Sequence, residues 1–327
     1  MIKYNANEKG EIMVIELTPK DSITEAAKKL KSGDKLFLKK GIYNEKVEIF
    51  NNNISIIGEN RDEVIIQNGD YFHKLLLDYN SCNTFRTYTM YLGGNNITLK
   101  NLTVKNLCNK SYIYGQSIAL YNDSDNFLGE HIILDGGQDT LFTGPLPYFL
   151  RERHKNFLRP IFLRDYIAKQ IYKDSIIKGD TDFIFGNATA LFINCDLVSI
   201  ETKAHHGIDG YISAPSHAID QQYGYLFYKC NLRKEKGVKN VYLARPWGKY
   251  GTVAFIDCNL EEHINKEGFS IWVGKNRHQT CRFIEYGKYE LKDRISWAHI
   301  LDEKEKNAYV EAFLKNINYK HWEENQF

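Results

Sequence analysis

Short apolar segments bounded by polar turns run along most of the chain. In the first fifth they cover residues 11–17, 35–38, 41–49, 54–58 and 64–66, and Asn, Asp or Gly residues lie between them. Segments of this length, rich in β-branched residues and ended by turn-forming residues, predict β-strands. Little helical pattern lies between the strands, which argues against alternating strand–helix units. The pattern therefore predicts an all-β protein.

A loose internal repeat covers the middle of the chain. Its six copies begin at Asn101, Glu130, Asp174, Cys195, Cys230 and Cys258, so that successive starts differ by 29, 44, 21, 35 and 28 positions. The shortest spacing suits one turn of a parallel β-helix, and the longer ones imply loops inserted between strands. The recurring cysteines favour a stacked interior position, where small apolar thiols pack on their equivalents. An antiparallel sandwich stays possible, because alternation alone does not distinguish the two folds.

Two helical patterns flank the strands. The first begins with the capping box Ser22-x-x-Glu25 and ends at Gly33. Its apolar face consists of Ile23, Ala26, Ala27 and Leu30. We expect this short helix to seal one end of the strand stack. The second pattern runs over residues 302–317 of the C-terminal segment 302–320 and should pack on the outside of the stack. Its predicted face consists of Ala308, Tyr309, Ala312 and Phe313.

Composition narrows the class of protein. The 327 residues include 26% charged and 43% hydrophobic residues, which is typical of a globular chain, and we expect one domain over residues 1–327. The net charge of +2 argues against a nucleic-acid partner, and no segment is apolar enough for a membrane span. The six cysteines include no CxxC pair, which favours reduced, buried thiols. The early apolar run 12–15 is too short for the core of a signal peptide. We therefore expect a cytoplasmic protein if Met1 is the true start, and a secreted protein if the true N-terminus is missing.

A proline-rich and basic segment covers residues 144–165 and is interpreted as an inserted loop. It holds Pro145, Pro147 and Pro160. Its basic residues are Arg151, Arg153, Lys155, Arg159 and Arg164, against Glu152 and Asp165, a local balance of +3. Such a run is often a solvated loop. The alternative is a basic rim beside a binding site that attracts an acidic substrate.

Four stretches place reactive or polar groups beside strand patterns. They cover residues 116–120, 138–141, 179–187 and 243–247. The groups they supply are Gln116, Gln138, Asp139, Asp182, Phe185, Arg245 and Trp247. Two neighbouring carboxylates separate in pKa, so that one can attack as an anion while the other donates a proton. Amide side chains suit an oxyanion site, a guanidinium orients a carboxylate, and flat aromatic faces stack on sugar rings.

Each of these residues also has a purely structural interpretation. Asp182 could cap a turn, Arg245 could form a surface ion pair, and Trp247 is large enough to belong to the core. Gln116 could be an exposed strand residue. The functional interpretation gains from the combination, because four separate turns would otherwise each have to place a reactive group by chance.

The set of motifs resembles the pectin methylesterases, a family of right-handed parallel β-helix carbohydrate esterases. The matching segments are Gly41-Ile42-Tyr43-x-Glu45, Gln116-x-x-Ala119-Leu120, Gln138-Asp139-Thr140-Leu141, Asp182-Phe183-Ile184-Phe185-Gly186, Gly210-Tyr211-Ile212-Ser213-Ala214, Arg245-Pro246-Trp247 and Gly268-Phe269-Ser270-Ile271-Trp272. The resemblance implies Asp182 as nucleophile, Asp139 as acid/base, and Gln138 and Gln116 as the amides at the tetrahedral intermediate. It further implies that Arg245 holds the nucleophile and that Trp247 and Phe185 bind the sugar. Ala244 departs from the family, which usually has Gly there.

The resemblance implies hydrolysis of galacturonate methyl esters in pectin or in methylated oligogalacturonides, without metal or cofactor. A cytoplasmic member would act on imported oligomers. Because the implied chemistry needs no metal, the His205-His206 pair is interpreted as a loop feature rather than a ligand site. Two other classes stay open. One is a lyase or glycosidase of the same fold, and the other is a non-catalytic oligogalacturonide-binding module, because fold does not fix function.

Overall fold

The computed structural model describes residues 2–7, 10–75, 81–154, 164–203 and 207–324, and strands dominate it. The strands are β1 (Ile2–Asn7), β2 (Gly10–Leu17), β3 (Lys35–Leu38), β4 (Gly41–Asn44), β5 (Val47–Ile49), β6 (Ile54–Gly58), β7 (Val64–Asn68), β8 (Met90–Leu92), β9 (Ile97–Lys100), β10 (Thr103–Asn106), β11 (Leu120–Asn122), β12 (Phe127–Glu130), β13 (Ile133–Asp135), β14 (Leu141–Thr143), β15 (Lys169–Lys173), β16 (Ile176–Gly179), β17 (Thr181–Gly186), β18 (Thr189–Ile193), β19 (Asp196–Ser199), β20 (Gly210–Pro215), β21 (Tyr225–Tyr228), β22 (Asn231–Lys234), β23 (Val241–Ala244), β24 (Thr252–Ile256), β25 (Asn259–Leu260), β26 (Arg282–Tyr286) and β27 (His299–Ile300). The α-helices are α1 (Ile23–Ala27), α2 (Ser111–Tyr114), α3 (Tyr148–His154), α4 (Glu303–Asn316) and α5 (Tyr319–Glu324). None of the helices in these ranges has the length and apolar character needed to cross a bilayer.

The strands form three long sheets of 12, 8 and 7 strands. Consecutive strands visit the three sheets in turn, beginning with β3, β4 and β5, and each pairs in parallel with its equivalent on the next coil. Within the described ranges, β1 and β2 are the one antiparallel pair of named strands. The fold is therefore the predicted right-handed parallel β-helix, and the sandwich alternative is wrong.

The predicted repeat is the corner between the first and second sheets. Its six copies contain β10, β13, β16, β19, β22 and β25, which are neighbours in the 8-stranded sheet. The corner residues share a left-handed backbone with φ between 49° and 55°: Asn101, His131, Asp174, Asn194, Lys229 and Asp257. Asn and Asp reach this conformation more readily than other non-glycine residues. The predicted strand at 41–49 is broken by a change from the second sheet to the third, into β4 and β5.

The residue that follows each corner points into the core. Cys195, Cys230 and Cys258 occupy this position on successive coils, and all three are buried and free. Their thiols donate to the carbonyl oxygens of Tyr172, Phe192 and Phe227 at 3.3, 3.3 and 3.4 Å. The predicted stack of interior cysteines is confirmed.

An aromatic ladder fills the interior beside the cysteines. Tyr172 and Phe192 stack with ring centroids 4.9 Å apart, Phe192 and Phe227 at 4.6 Å, and Phe227 and Phe255 at 4.5 Å. Each ring belongs to a different strand of the 12-stranded sheet. Identical positions on stacked coils therefore bury large apolar surfaces against one another, which supplies the main driving force for a solenoid.

The N-terminal helix is shorter than predicted and is capped differently. Ser22 Oγ accepts a hydrogen bond from the Glu25 amide at 3.1 Å, which is half of the predicted capping box. A carboxylate from the first coil supplies the other contacts, because Glu45 accepts from the amides of Ile23 and Thr24 at 2.8 and 3.0 Å. The helix ends at Ala27 rather than running to Gly33. Ile23 and Ala27 are buried at the end of the core, as expected of a sealing element.

The C-terminal helix α4 packs on the outer face of the 12-stranded sheet. Asp302 forms a complete capping box with Glu305 at its start. The predicted face was partly wrong, because Ala308 and Ala312 are exposed. The buried face consists of Val310, Phe313 and Ile317, which contact Leu128, Ile171, Leu191, Leu226, Ala254 and Ile256 on the sheet. The three larger side chains bury more apolar area than alanines could, and this decides the orientation of the helix.

Replacing Phe313 with alanine tests this packing. Phe313 is fully buried, so Phe313→Ala should lower the free energy of unfolding by about 3–5 kcal/mol. Urea unfolding followed by circular dichroism measures the change. Ala312→Ser on the exposed side of the same helix is the control and should change stability by less than about 0.5 kcal/mol. Equal effects of the two substitutions would contradict this orientation of α4.

Candidate active site

The predicted site residues come from four coils at one side of the 7-stranded sheet, those of β11, β14, β17 and β23. Gln116 and Gln138 form a parallel bridge just before β11 and β14. The Asp139 amide donates to the Thr181 carbonyl at 3.1 Å, which places Asp139 beside the start of β17 and hence beside Asp182. Arg245 follows β23. The parallel register thus brings together residues that are as far apart as 116 and 245 in the sequence.

Both aspartates have a left-handed backbone. The φ angles are 67° at Asp139 and 50° at Asp182. The pairing of β17 with β20 is irregular between Thr181 and Ile184, so Asp182 lies in a bulge inside a strand rather than in the turn that the sequence suggested. A bulge changes the direction of a side chain relative to regular alternation. The two carboxylates can therefore leave the core and line a cleft on the surface of the sheet.

Asp182 and Arg245 form a bidentate ion pair. The guanidinium donates from Nε to Oδ1 at 2.8 Å and from Nη2 to Oδ2 at 2.6 Å. The Asp182 side chain is only 7% exposed, so solvent weakens the pair little. Burial lowers the pKa of Arg245, but the charge and hydrogen bonds of Asp182 outweigh it and the pKa is raised. The arrangement holds Asp182 as a carboxylate in one orientation.

Aromatic rings fix the guanidinium from both sides. Arg245 lies 4.0 Å from the ring centroid of Tyr211 and 4.5 Å from that of Trp272. Arg277 contacts the Trp272 ring at 5.2 Å and donates to the Trp247 carbonyl. Stacked guanidinium groups gain cation–π attraction and lose conformational freedom. Arg245 is thus held in place before any ligand binds.

Asp139 differs from Asp182 in its surroundings. It is buried, and no cation forms an ion pair with it within the described residues. Burial raises the pKa of Asp139 well above the usual value, and the negative charge of Asp182 raises it further. The positive charge of Arg245 lowers the pKa in part, and the charge of Asp180 makes a smaller contribution that raises it. Asp139 therefore retains its proton at pH values where ordinary aspartates have lost theirs. The site contains one carboxylate and one carboxylic acid.

A cleft of about 600 Å³ covers these groups. All seven predicted site residues line it: Gln116, Gln138, Asp139, Asp182, Phe185, Arg245 and Trp247. Phe185 is 3% exposed and packs on Trp247 at 5.4 Å and on Phe142 at 4.9 Å, so it contributes only an edge to the wall. Ala244 is buried at the end of β23 and has no left-handed backbone, so this position does not require glycine.

Several cleft residues were missed at the level of sequence. Trp272 is one, although its segment carried part of the resemblance. Others are Phe72 and His73, which lie between β7 and the antiparallel bridge of Leu75 with Ser81. No motif distinguishes these residues from those of an ordinary loop, because their position depends on how the loop folds back over the sheet. The His205-His206 pair lies outside the described residues.

The predicted insertion only partly forms a basic rim. It contains the helix α3 rather than a plain loop, and residues 155–163 lie outside the described ranges. Arg151 is buried and pairs with Asp165 at 2.5 Å, so it does not face the cleft. Arg153 does line the cleft, and its charge, after burial, lowers the pKa of Arg277. The two guanidinium groups therefore place positive charge at one side of the cleft.

Fold and site together define a parallel β-helix protein with a paired-aspartate site in an aromatic cleft. The family model described as Pectinesterase matches residues 6–155 and 162–316, so the chain belongs to the pectinesterase family. The interruption at 156–161 lies inside the predicted insertion.

Individual relatives agree with this assignment. The chain is 27% identical over 296 residues to a probable pectinesterase/pectinesterase inhibitor 64 of Arabidopsis thaliana, covering 84% of this chain and 44% of that protein. The chain thus spans about half the length of such curated relatives. Pectin methylesterase from Yersinia enterocolitica is similar in structure, with 25% identity, a TM-score of 0.72 and coverage of 90% of this chain and 98% of that one. A pectin methylesterase in complex with a hexasaccharide has 24% identity, a TM-score of 0.71 and coverage of 90% and 92%.

The raised pKa of Asp139 predicts how stability varies with pH. The folded protein holds the Asp139 proton to higher pH than the unfolded chain does. The stability that this group contributes is therefore present at pH values below 3.8, the ordinary pKa, and is lost as the pH rises from there through the pKa of the folded state. Asp139→Asn removes the titration. The free energy of unfolding of the variant relative to wild type should therefore increase with pH, measured by urea unfolding between pH 4 and pH 8. Asp293→Asn, at an exposed position, is the control and should give a flat difference, and a flat difference for Asp139→Asn would show that Asp139 titrates normally.

Proposed function

We propose that this protein hydrolyses methyl esters at C6 of galacturonate residues. The observation that carries the proposal is the unequal pair of aspartates in one cleft. Asp182 is held as an anion by Arg245, whereas Asp139 is buried and holds a proton. Hydrolysis of an ester through a covalent intermediate needs one group of each kind.

The first half of the reaction forms an acyl-enzyme. A carboxylate oxygen of Asp182 attacks the ester carbonyl, and the resulting oxyanion accepts hydrogen bonds from the amides of Gln116 and Gln138. Asp139 donates its proton to the methoxy oxygen, the C–O bond to methanol breaks, and an anhydride links Asp182 to the galacturonyl group. Fixed neutral donors favour charge that develops only in the transition state.

The second half regenerates the enzyme. Asp139, now a carboxylate, takes a proton from water, and the hydroxide attacks the galacturonyl carbonyl. Asp182 leaves as a carboxylate, which Arg245 stabilises in its original orientation. One water is consumed, and methanol and a free uronic acid are the products. Asp139 again carries the proton that the next turnover needs.

The cleft supports an anionic sugar chain as substrate. Trp247 and Trp272 offer aromatic faces for sugar rings, and Arg153 and Arg277 supply positive charge at the same side. The hexasaccharide complex of a structurally similar pectin methylesterase supports a substrate of several sugar residues. The proposed substrates are methylated oligogalacturonides as well as polymeric pectin. Five buried free cysteines support action in a reducing compartment such as the cytoplasm.

Removing the nucleophile tests the mechanism. Asp182→Asn keeps the shape of the side chain but loses the attacking anion, so kcat should fall at least ~10³-fold. Methanol release from a methylated oligogalacturonide measures the rate. Asp293→Asn serves as the matched control and should retain wild-type activity, since its side chain is exposed and lines no part of the cleft. Near-normal turnover by Asp182→Asn would overturn the assignment of the nucleophile.

Side-by-side assays of oligomers and polymeric pectin test the substrate. We expect methanol from methylated oligogalacturonides without added metal, at a higher kcat/KM than from the polymer. Unsaturated products would instead identify a lyase, and new reducing ends a glycosidase. Binding of the oligomers without methanol release would identify a sugar-binding module.

A further inference from the structure

A third buried aspartate lies beside the two that carry the proposed chemistry. Asp180 precedes Asp182 by two residues, at the junction between β16 and β17, and is 1% exposed. It does not line the cleft, so it does not touch substrate. Asp180 takes part in no step of the proposed hydrolysis. A buried carboxylate needs partners to offset its loss of hydration, and those partners show what it does.

The side chain of Asp180 connects three segments. Its Oδ2 accepts a hydrogen bond from Ser111 Oγ at 2.5 Å, and its Oδ1 accepts from the Thr181 amide at 2.5 Å. Ser111 Oγ also lies 3.3 Å from Thr202 Oγ1. Ser111 begins α2, which leads directly to Gln116, and Thr202 follows β19 on the next coil. The carboxylate thus ties the segment that carries the first glutamine to the strand that carries Asp182.

The backbone of Asp180 connects two more segments. Its amide donates to the Gly137 carbonyl at 3.2 Å, immediately before Gln138 and Asp139. Its carbonyl accepts from the Tyr211 amide at 3.1 Å. A side chain at Gly210 would place its Cβ only 2.0 Å from the Asp180 oxygen, so this approach requires glycine. Asp180 therefore contacts the segments that carry both glutamines and both aspartates. It also contacts Tyr211, whose ring packs against Arg245.

The charge of Asp180 also reaches the acid. Burial raises the pKa of Asp180 to about 6, although hydrogen bonds from Ser111 and Thr181 oppose the rise and Asp182 adds to it. Above that pH its negative charge helps to keep the pKa of Asp139 raised. The other charged groups that act on the pKa of Asp139 are Asp182 and Arg245. The cation of Lys203, next to Thr202, lies over the Tyr112 ring of α2 at 4.8 Å.

We propose that Asp180 is a positioning residue of this site: its hydrogen bonds hold the turns of Gln116, Asp139 and Asp182 in register, and its carboxylate adds negative charge beside Asp139. The inference rests on the proposed ester hydrolysis for its catalytic consequence. Its electrostatic part concerns Asp139 alone and holds whatever the substrate is.

Two substitutions separate the electrostatic role from the structural one. Asp180→Asn keeps a group of the same shape that can still hydrogen-bond to Ser111, but it removes the charge. Ser111→Ala removes the tie to α2 and leaves the charge in place. Asp293→Asn removes an exposed charge and controls for net charge alone.

Carboxyl ¹³C NMR of aspartate-labelled protein measures the titration of Asp139 without any substrate. Asp180→Asn should move the Asp139 titration to lower pH, whereas Asp293→Asn should leave it unchanged. An Asp139 titration that is the same in wild type and Asp180→Asn would overturn the electrostatic role. Because this readout needs no turnover, it decides the inference even if wild-type protein releases no methanol and the proposed function itself fails.

The pH profile of methanol release measures the consequence for catalysis. The alkaline limb of kcat/KM reports loss of the proton on Asp139, so it should move to lower pH in Asp180→Asn. Ser111→Ala should lower kcat by up to about 10²-fold, as expected of a displaced catalytic group, and leave the limb in place. An alkaline limb that does not move in Asp180→Asn would overturn the electrostatic role. Full kcat in Ser111→Ala would overturn the positioning role.

Discussion

Parallel stacking of coils is the constraint on which the rest of this structure depends. Each coil must turn sharply from the first sheet to the second directly above the corresponding turn of the coil before it. A residue with a left-handed backbone, such as Asn101 or Asp174, makes that turn. The regular corner keeps equivalent side chains above one another. Cysteine thiols and aromatic rings then form continuous stacks through the core. The site depends on the same register, because its residues lie just before, within or directly after strands of the third sheet.

The two catalytic candidates show how environment, not residue type, assigns chemical roles. Asp139 and Asp182 are both buried and both have a left-handed backbone. Asp182 faces a guanidinium that is itself fixed between Tyr211 and Trp272. Asp139 is buried beside the negative charges of Asp182 and Asp180, so it favours the neutral form. A single arginine, placed on one side of the pair, therefore breaks the symmetry between two identical side chains.

Much of this arrangement could be predicted from the sequence, and the reasons for the failures are specific. The repeat and the interior cysteines were correct, because a stacked position demands similar residues on each coil. The predicted capping box of α1 was only half correct, because Glu45, between β4 and β5, caps the helix in place of Glu25. The predicted face of α4 was correct at Phe313 and partly wrong at its two alanines, which count as apolar in a pattern but bury little area. Trp272 and Asp180 were missed as functional candidates, because their importance depends on contacts with residues far away in the sequence.

The distribution of the site along the solenoid has a consequence for chains that are still being made. Gln116, Asp139 and Asp182 lie on successive coils, whereas Arg245 lies two coils beyond Asp182, after the coil of β20. A nascent chain that has stacked its coils only as far as β20 already holds both aspartates but lacks the guanidinium that orients one of them. Asp182 in such a chain has no guanidinium to hold its carboxylate in one orientation. We therefore expect the pair of aspartates to become complete only when the coil that ends at Arg245 has stacked.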